Sequence, residues 1–376
     1  MSTTTEPTGS VVVLSTGTSM TMDFPASLKA IRTILIVGPA WIGDMMMAQS
    51  LFILLKRRNP QVKLHLLASA WTRPLVAAMP EIDEVIDMPF GHGQLDVMAR
   101  YRLGKSLADR GYDQAILLPN SFKSALVPFF AGIPLRTGWR GEMRYGLLND
   151  WRPLDKKRYP LMVQRYLALA YARDAALPAD FPYPQLQLDP SRRQPLLTKF
   201  ALHLNRPLLI LCPGAEYGSA KRWPEAYYAT VAAQRIRAGW QVWLLGSAKD
   251  QPVAETIRDQ LPPTLQVHMN NLAGRTNLGE AIALMACADA VLSNDSGLMH
   301  IAAALNRPLV VVFGSTSPEH TPPLSQRVRV VTNTLECSPC FERECPLGHH
   351  KCLRELKPAQ VQAELDELLA SPATVS

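Results

Sequence analysis

The chain has 376 residues, of which 47% are hydrophobic and 19% charged, so it can bury the core of two ordinary domains and is too apolar for an intrinsically disordered protein. Its formal net charge of +7 favours anionic partners such as phosphates, nucleic acid or an acidic membrane face, without selecting among them. No apolar run reaches the roughly 20 residues that cross a bilayer, and no basic residue precedes the short run at 11–14, which argues against a secretory signal. The sequence therefore predicts a cytoplasmic globular protein without a transmembrane segment.

The first half of the chain alternates short β-branched runs with helical patterns. Residues 1–29, rich in Ser, Thr, Gly and Pro, predict a disordered N-terminal tail. After this tail, strands are predicted at 32–38, 62–68, 84–89 and 113–119, and helices at 44–58, 71–79, 94–110 and 121–131. Strands that alternate with helices in this way indicate a parallel, Rossmann-like sheet.

A second series of the same kind follows a proline-rich, poorly periodic stretch at 177–195, which predicts an interdomain linker. Its strands are predicted at 207–214, 241–247, 265–271, 289–294 and 308–314, with helices at 224–238, 250–260, 278–287 and 297–305. The predicted fold class is α/β, with two Rossmann-like domains that face each other across a cleft. We place the domains at 30–185 and 186–376, with the last helix packing back on the N-terminal domain.

The loop after the first predicted strand, "GPAWIGD", ends in a carboxylate, Asp44. It lacks the Gly-x-Gly-x-x-Gly pattern of dinucleotide sites, since only Gly38 and Gly43 are present, which disfavours a nicotinamide oxidoreductase. An aspartate in a first helical turn is also favoured by the helix dipole alone. Asp44 is therefore either a capping residue or a functional group presented at the carboxyl end of the sheet.

The second domain contains the better phosphate site. The "NDSG" turn at 294–297, followed by His300, predicts a helix start whose free N–H groups could hold a diphosphate, with ordinary N-capping as the alternative. In "PGAEYGSAKRWP", Lys221 could neutralise charge on a leaving group. Asp250 follows another strand and could accept ribose hydroxyls.

Arginines and aromatic residues are dense in the loop at 119–150. Arg136, Arg140 and Arg144 recur every four residues, but the glycines between them argue against a regular helix. The guanidinium groups are therefore either presented to a phosphate or carboxylate ligand or held in a structural arginine network.

Four segments together carry a family resemblance. The "GPAWIGDMMMAQS" turn, "LPNSFKSALVPFFAGIPLRTGWRGEMRYGLLND", "CPGAEYGSAKRWP" and "NDSGLMHIAAALNRPLV" resemble glycosyltransferase family 9, the heptosyltransferases, and the resemblance runs from about residue 31 to 325. It implies a GT-B fold and an inverting, metal-independent transfer of L-glycero-D-manno-heptose from ADP-heptose. The acceptor implied is the first heptose of the lipopolysaccharide inner core on Kdo-lipid A, with heptosyltransferases of type I or III as the alternative.

The resemblance also implies where the enzyme works and which residues it uses. It implies a cytoplasmic enzyme in peripheral contact with the inner face of the inner membrane, which uses no cofactor and binds no nucleic acid. Asp44 matches the family's general base, Lys221 the donor-phosphate contact and Asp295 a carboxylate near the donor sugar. The implied donor site comprises Gly214, Glu216, Lys221, Ser247, Asp250, Thr276, Asp295, Ser296, Gly297 and His300. The implied acceptor site comprises Asn120, Ser121, Lys123, Arg140 and Arg144.

A cysteine-rich segment near the end, "CSPCFERECPLGHHKC", departs from this pattern. Cys337, Cys340, Cys345 and Cys352, with histidines beside them, have spacings that could bind zinc. Reduced cysteines in a compact loop and disulfides are the other interpretations, of which disulfides fit a cytoplasmic protein least. None of the three makes the segment catalytic, and the absence of an Asp-x-Asp motif fits the implied metal-independent transfer.

Overall fold

In the computed structural model, which describes residues 31–91 and 93–371, the first half of the chain forms a six-stranded parallel sheet. The predicted tail at 1–29 lies outside the described residues. The strands are β1 (Thr33–Val37), β2 (Lys63–Ala68), β3 (Glu84–Asp87), β4 (Gln114–Leu117), β5 (Leu135–Trp139) and β6 (Asp150–Arg152). The helices are α1 (Ile42–Arg58), α2 (Arg73–Val76), α3 (Val97–Leu107), α4 (Leu126–Phe130) and α5 (Met162–Ala168).

The second half forms another six-stranded parallel sheet. Its strands are β7 (Leu208–Cys212), β8 (Gln241–Leu244), β9 (Met269–Asn271), β10 (Ala290–Asn294), β11 (Leu309–Phe313) and β12 (Val328–Thr332). Its helices are α6 (Arg193–Lys199), α7 (Glu225–Arg237), α8 (Gln251–Asp259), α9 (Pro263–Gln266), α10 (Leu278–Met285), α11 (Gly297–Ala304), α12 (Lys351–Arg354) and α13 (Pro358–Ala370). None of the helices in the described ranges is both long and apolar enough to cross a bilayer.

The two sheets share one topology. Their strand orders are β3-β2-β1-β4-β5-β6 and β12-β11-β10-β7-β8-β9, so each is doubly wound and reverses direction between its first and fourth strands. The crevice at such a reversal, outside the carboxyl ends of the strands, is where open α/β sheets bind ligands. The predicted α/β architecture with two Rossmann-like domains is confirmed, and the reversal points are β1/β4 and β7/β10.

Helix α1 is apolar on most of its circumference, which is typical of a helix with partners on several sides. Met45, Met46 and Met47 are fully buried and belong to a core cluster that contains residues of both halves. The helix ends in the basic turn Lys56–Arg58, where cations favour a helix C-terminus. The methionines therefore anchor the start of α1 and, with it, Asp44.

The N-terminal ends of α1 and α11 cross at the junction of the two halves. A Cβ atom on Gly43 would lie 2.9 Å from Cδ2 of His300, and one on Gly297 would lie 2.8 Å from Cβ of Ile42. Real Cβ atoms do not approach other carbons so closely, since interiors are packed to near crystal density. Glycine at both positions is what lets the two helix starts touch.

The connection between the halves has no helix or strand over 175–189, but it is tied to both sides. The Gln49 side chain donates to the carbonyl of Gln185 at 2.6 Å and accepts from its N–H at 3.1 Å. Leu186 N–H donates to Ala304 O at 3.2 Å, and Gln187 N–H to Ala78 O at 2.9 Å. The linker thus runs along the junction instead of standing away from it.

Several elements differ from the sequence predictions. Strands β5, β6 and β12 were not predicted, and the helix predicted at 71–79 is a short 3-10 turn followed by four α-helical residues. The last helix, α13, packs on β11, β12 and α7, so the prediction that it packs back on the N-terminal domain is wrong. Its buried residues Val361, Leu365 and Leu368 join the core of the second sheet, because its apolar stripe covers one outer face of that sheet.

Candidate active site

Asp44 is the third residue of α1, and it lies at the junction of the two halves, next to the contact between Gly43 and His300. The buried hydroxyl of Tyr166 on α5 hydrogen-bonds to its carboxylate, and Lys221 of the second half lies within electrostatic range. Burial raises the pKa of Asp44 above its usual value, while the Tyr166 hydrogen bond and the Lys221 charge lower it in part. The result is a carboxylate more basic than an exposed one.

Tyr166 is suited to hold that carboxylate in place. Burial, followed by the Asp44 charge and hydrogen bond, raises the pKa of its hydroxyl well above the usual value. The hydroxyl therefore stays protonated and donates to Asp44. The sequence did not indicate this partner, because no helix was predicted over Met162–Ala168.

Lys221 stands opposite, in the loop after β7. Its Nζ lies 2.6 Å from Oδ2 of Asp295, and both side chains are largely buried. The Thr316 hydroxyl donates to the same oxygen at 2.5 Å. An ammonium has three N–H donors, so Lys221 can hold Asp295 and still donate to an anion in the cleft.

Thr316 was missed by the sequence analysis, although a signal existed. It follows β11 directly in the run "GSTSPEH", at the same edge of the sheet as the loops after β7 and β10. Because ligands bind at the carboxyl ends of parallel strands, the loop after β11 was as good a candidate as those after β7 and β10.

The start of α11 is open to an anion. Its N-cap residue, Ser296, is extended and makes no side-chain capping hydrogen bond. Asn294 beside it is buried and occupied, since its side chain donates to Pro213 O at 2.6 Å and accepts from Trp223 N–H at 3.1 Å. Asn294 therefore joins β10 to the loops after β7, and the free N–H groups belong to the first turn of α11.

His300 is buried in that first turn against Gly43. Burial lowers its pKa to about 4, while the Asp295 charge raises it and the Lys221 charge lowers it further. The imidazole is therefore neutral at pH 7, and it fills the space between the helices without adding charge to the cleft.

The remaining predicted donor residues lie at the ends of β7, β8 and β9. Asp250 accepts from the N–H and hydroxyl of Ser247, both at 2.8 Å, and its carboxylate would be 2.4 Å from a Cβ on Gly214. Glu216 pairs with Lys249 at 2.5 Å on the surface. The Thr276 hydroxyl is buried and has no hydrogen-bond partner, so it is a polar group that a ligand could satisfy.

The arginines at 136–144 separate into two kinds. Arg144 is buried, and its guanidinium donates to Pro119 O at 2.8 Å, to Asn120 Oδ1 at 3.3 Å and to the carbonyl of Trp139. Burial lowers its pKa to about 10. Arg144 therefore lies in a structural network, the alternative that the sequence left open, and it braces Asn120 instead of facing a ligand.

Arg140 differs, because its side chain is exposed, about 6.0 Å from the Trp151 ring. Asn120 is exposed, and Ser121 and Lys123 are half-buried, on the loop that Arg144 braces. These four residues form an exposed polar rim next to the carboxyl end of β4.

The four clustered cysteines are reduced and lie apart from Asp44, around a small cavity behind the Lys221 loop. Over residues 31–91 and 93–371, no group of three or more His, Cys, Asp or Glu side chains is placed so that it could hold a metal ion.

Comparison with known proteins gives three similarities. The profile described as "Glycosyltransferase family 9 (heptosyltransferase)" matches residues 100–351. The chain is 50% identical over 341 residues to lipopolysaccharide heptosyltransferase 2 of Escherichia coli K12, covering 89% of this chain and 98% of that protein. It is 50% identical over 347 residues to lipooligosaccharide heptosyltransferase 2 of Haemophilus influenzae, covering 90% and 99%.

A solved structure agrees with these similarities. The structure described as E. coli ADP-heptose lps heptosyltransferase II matches with a TM-score of 0.81 and 48% sequence identity, covering 90% of this chain and 98% of that one.

The low pKa of His300 predicts a specific pH dependence of stability. A histidine titrates near 6.5 when unperturbed and His300 at about 4, so between these values the unfolded state binds more protons. The free energy of unfolding should therefore fall as the pH drops below about 6.5. From pH 7 to pH 5 the wild type should lose about 2 kcal/mol more than His300→Gln, measured by denaturant unfolding at both pH values.

The exposed His203 provides the matched control for this measurement. His203→Gln should keep the pH dependence of the wild type, since its side chain is in solvent. Equal losses in the wild type and His300→Gln would show that His300 does not carry the effect.

Proposed function

The chain belongs to glycosyltransferase family 9, and on that premise we propose how it transfers heptose onto the lipopolysaccharide inner core. The donor is ADP-L-glycero-D-manno-heptose, and the acceptor is the first heptose of the core on Kdo-lipid A. The 50% sequence identity to heptosyltransferase 2 proteins of two organisms supports this acceptor over the acceptors of type I and type III heptosyltransferases. The observation that carries the mechanism is the position of Asp44 across the cleft from Lys221 and Asp295.

Asp44 acts as the general base. Its carboxylate takes the proton from the acceptor hydroxyl while the hydroxyl oxygen bonds to the anomeric carbon of the donor. The bond from that carbon to the ADP oxygen breaks, and its electron pair leaves with the diphosphate. Attack opposite the leaving group inverts the anomeric configuration. The raised pKa of Asp44 supports this role, because a base is most effective when its pKa approaches the working pH.

Tyr166 is a positioning residue in this proposal. Its protonated hydroxyl binds one side of the Asp44 carboxylate, so the carboxylate can direct its other side at the acceptor. A base fixed in this way does not have to reorganise during the reaction.

The second half stabilises the leaving group. Negative charge grows on the diphosphate as the bond breaks, and Lys221 and the first turn of α11 supply fixed positive potential there. Asp295 and Thr316 orient Lys221. We propose that these protein groups neutralise the charge without a metal ion, and that Gly214, Glu216, Ser247, Asp250 and Thr276 hold the rest of the donor.

The same argument assigns roles to the two halves. We propose that residues 30–185 bind the acceptor, through the rim of Asn120, Ser121, Lys123 and Arg140, and that 186–376 bind the donor. Arg144 contributes by holding the rim loop through its carbonyl contacts.

The overall function is tested with the intact enzyme, ADP-heptose and lipid A that carries Kdo and one heptose. Mass spectrometry should show one added heptose. The matched control is lipid A that carries Kdo alone, which should remain unchanged. Transfer to the control and not to the heptosylated acceptor would identify a type I activity instead.

Asp44→Asn should lower the rate of transfer by roughly 10²–10⁴-fold, because the carboxamide cannot accept the proton. Binding of ADP, measured by calorimetry, should persist since the donor contacts lie in the other half. Asp109→Asn, which changes an exposed carboxylate on the outer surface, is the matched control and should transfer normally. Turnover by Asp44→Asn close to that of the wild type would contradict the assignment of the base.

A lipid-linked acceptor requires the enzyme to work at a membrane, and we propose that helix α3 provides the contact. Its exposed side carries Val97, Met98 and Tyr101, and Met98 is 59% exposed. Tyr101 packs edge-on against Phe130 at 5.2 Å, and Lys105 lies 5.8 Å from the Tyr101 ring. We call this apolar and basic surface the α3 face.

The α3 face has the composition of a surface that lies on an anionic bilayer, with apolar and aromatic side chains beside lysine and arginine. It is on the half to which we assign the acceptor. The proposed location is therefore the cytoplasmic surface of the inner membrane, in peripheral contact.

The double variant Met98→Ser/Tyr101→Ser should bind phosphatidylglycerol-containing vesicles several-fold more weakly than the wild type in a sedimentation assay, because it buries less apolar area. Val267→Ser, which removes an exposed apolar side chain from the other half, should bind like the wild type. Unchanged binding by the double variant would place the membrane contact elsewhere.

A further inference from the structure

The cysteine-rich segment at 337–352, here called the cysteine loop, folds around one small cavity. Cys352 belongs to α12 and the other three cysteines lie in the irregular stretch before it. All four line the cavity, which has a volume of about 20 Å³. The thiols of Cys337, Cys340 and Cys345 also act electrostatically on that of Cys352. Four free thiols are therefore gathered around one cavity.

The backbone of the cysteine loop turns sharply next to Cys340 and Cys345. The Gly348 N–H donates to the Cys345 carbonyl at 3.0 Å. The chain takes left-handed backbone at Gly348 and His350, and Phe341 takes the same conformation directly after Cys340. Left-handed conformations are costly for residues other than glycine.

A second and independent feature points into the same cavity. Ser315, at the end of β11, is 1% exposed and lines the cavity, and its hydroxyl has no hydrogen-bond partner. Leaving a buried hydroxyl without a hydrogen-bond partner is unfavourable. A ligand in the cavity, or a ligated sulfur that accepts from Ser315, would remove this cost.

We propose that the cysteine loop is a structural binding site for one thiophilic metal ion, with zinc as the expected occupant, held by the sulfurs of Cys337, Cys340, Cys345 and Cys352. The Cys-x₂-Cys spacing and the all-sulfur ligand set are those of closed, tetrahedral zinc sites. Among the described residues no three His, Cys, Asp or Glu side chains are placed so that they could hold an ion, so binding requires the four sulfurs to move inward. Each thiol that ligates releases its proton, and no electron is transferred.

The site has a consequence for the neighbouring donor loop. The Arg343 carbonyl accepts from Ala220 N–H at 3.0 Å, and the Phe341 carbonyl accepts from the Tyr217 hydroxyl at 2.6 Å. Both carbonyls belong to the cysteine loop, and Lys221 follows Ala220. An ion that fixes the cysteine loop therefore fixes the loop that carries Lys221, without contacting the substrate.

Elemental analysis tests the site directly. The full chain, expressed without an affinity tag that binds metal and purified without chelator, should contain about one equivalent of zinc or of iron, the other common occupant of all-sulfur sites. Cobalt(II) added to the metal-free protein should give strong sulfur-to-metal absorption. Less than about one tenth of an equivalent of any transition metal, together with no such absorption, would overturn the proposal.

Variants separate the site from general effects on folding. Cys340→Ser/Cys345→Ser should lose the metal and the cobalt absorption, whereas Cys287→Ser, at a half-buried cysteine outside the loop, should retain both. If the double variant fails to fold, titration of the wild type with a chelator gives the same information, since metal release should lower its melting temperature. Retention of one equivalent by a folded double variant would refute the ligand assignment.

The link between the metal site and the donor loop rests on the proposed function. The experiment distinguishes failure of the metal site from failure of the donor assignment. Removal of the metal should weaken binding of ADP several-fold, measured by calorimetry, because the Lys221 loop loses its support. A wild type that contains the metal but does not bind ADP would refute the donor assignment and leave the metal site intact. A wild type that contains no metal but transfers heptose would refute the metal site and leave the proposed function intact.

Discussion

The contact between the starts of α1 and α11 is the constraint on which the rest of the structure depends. Each helix begins directly after a central strand, and each presents a glycine where the other presents a bulky side chain: Gly43 against His300, and Gly297 against Ile42. Because the two helix starts touch, the loops after β1, β7 and β10 open into the same cleft. Asp44 of one half and Lys221 of the other are thereby held within electrostatic range of each other.

The electrostatics of the cleft depend on which of its side chains are charged. Burial raises the pKa of Asp44, while the Tyr166 hydrogen bond and the Lys221 charge lower it in part. Lys221 is oriented by Asp295 and Thr316. His300 lies between them and stays neutral, because burial lowers its pKa to about 4. A protonated imidazole at this position would add a positive charge next to Lys221.

Much of the fold could be predicted from the sequence because the central strands of a doubly wound sheet are buried on both faces and read as apolar runs. Strands β5, β6 and β12 were missed because they lie toward the edges and contain arginines, as in "LRTGW" and "DWR". The last helix was placed on the wrong domain, since its apolar stripe shows that it packs but not on which surface. Arg144 is a second example. The sequence shows an arginine at this position, but it does not show whether the guanidinium is buried against carbonyls or exposed to a ligand.

The sequence by itself determined the fold class, the family resemblance and the residues at the strand ends, because these depend on local periodicity and on short motifs. Only the tertiary structure decided which of those residues meet. It provided Tyr166 as the partner of Asp44 and Thr316 as the partner of Asp295, and it gathered the four cysteines around one cavity with Ser315. The physical reason is that hydrogen bonds and charges act over a few ångströms in space, and the distance along the chain between two residues does not determine that separation.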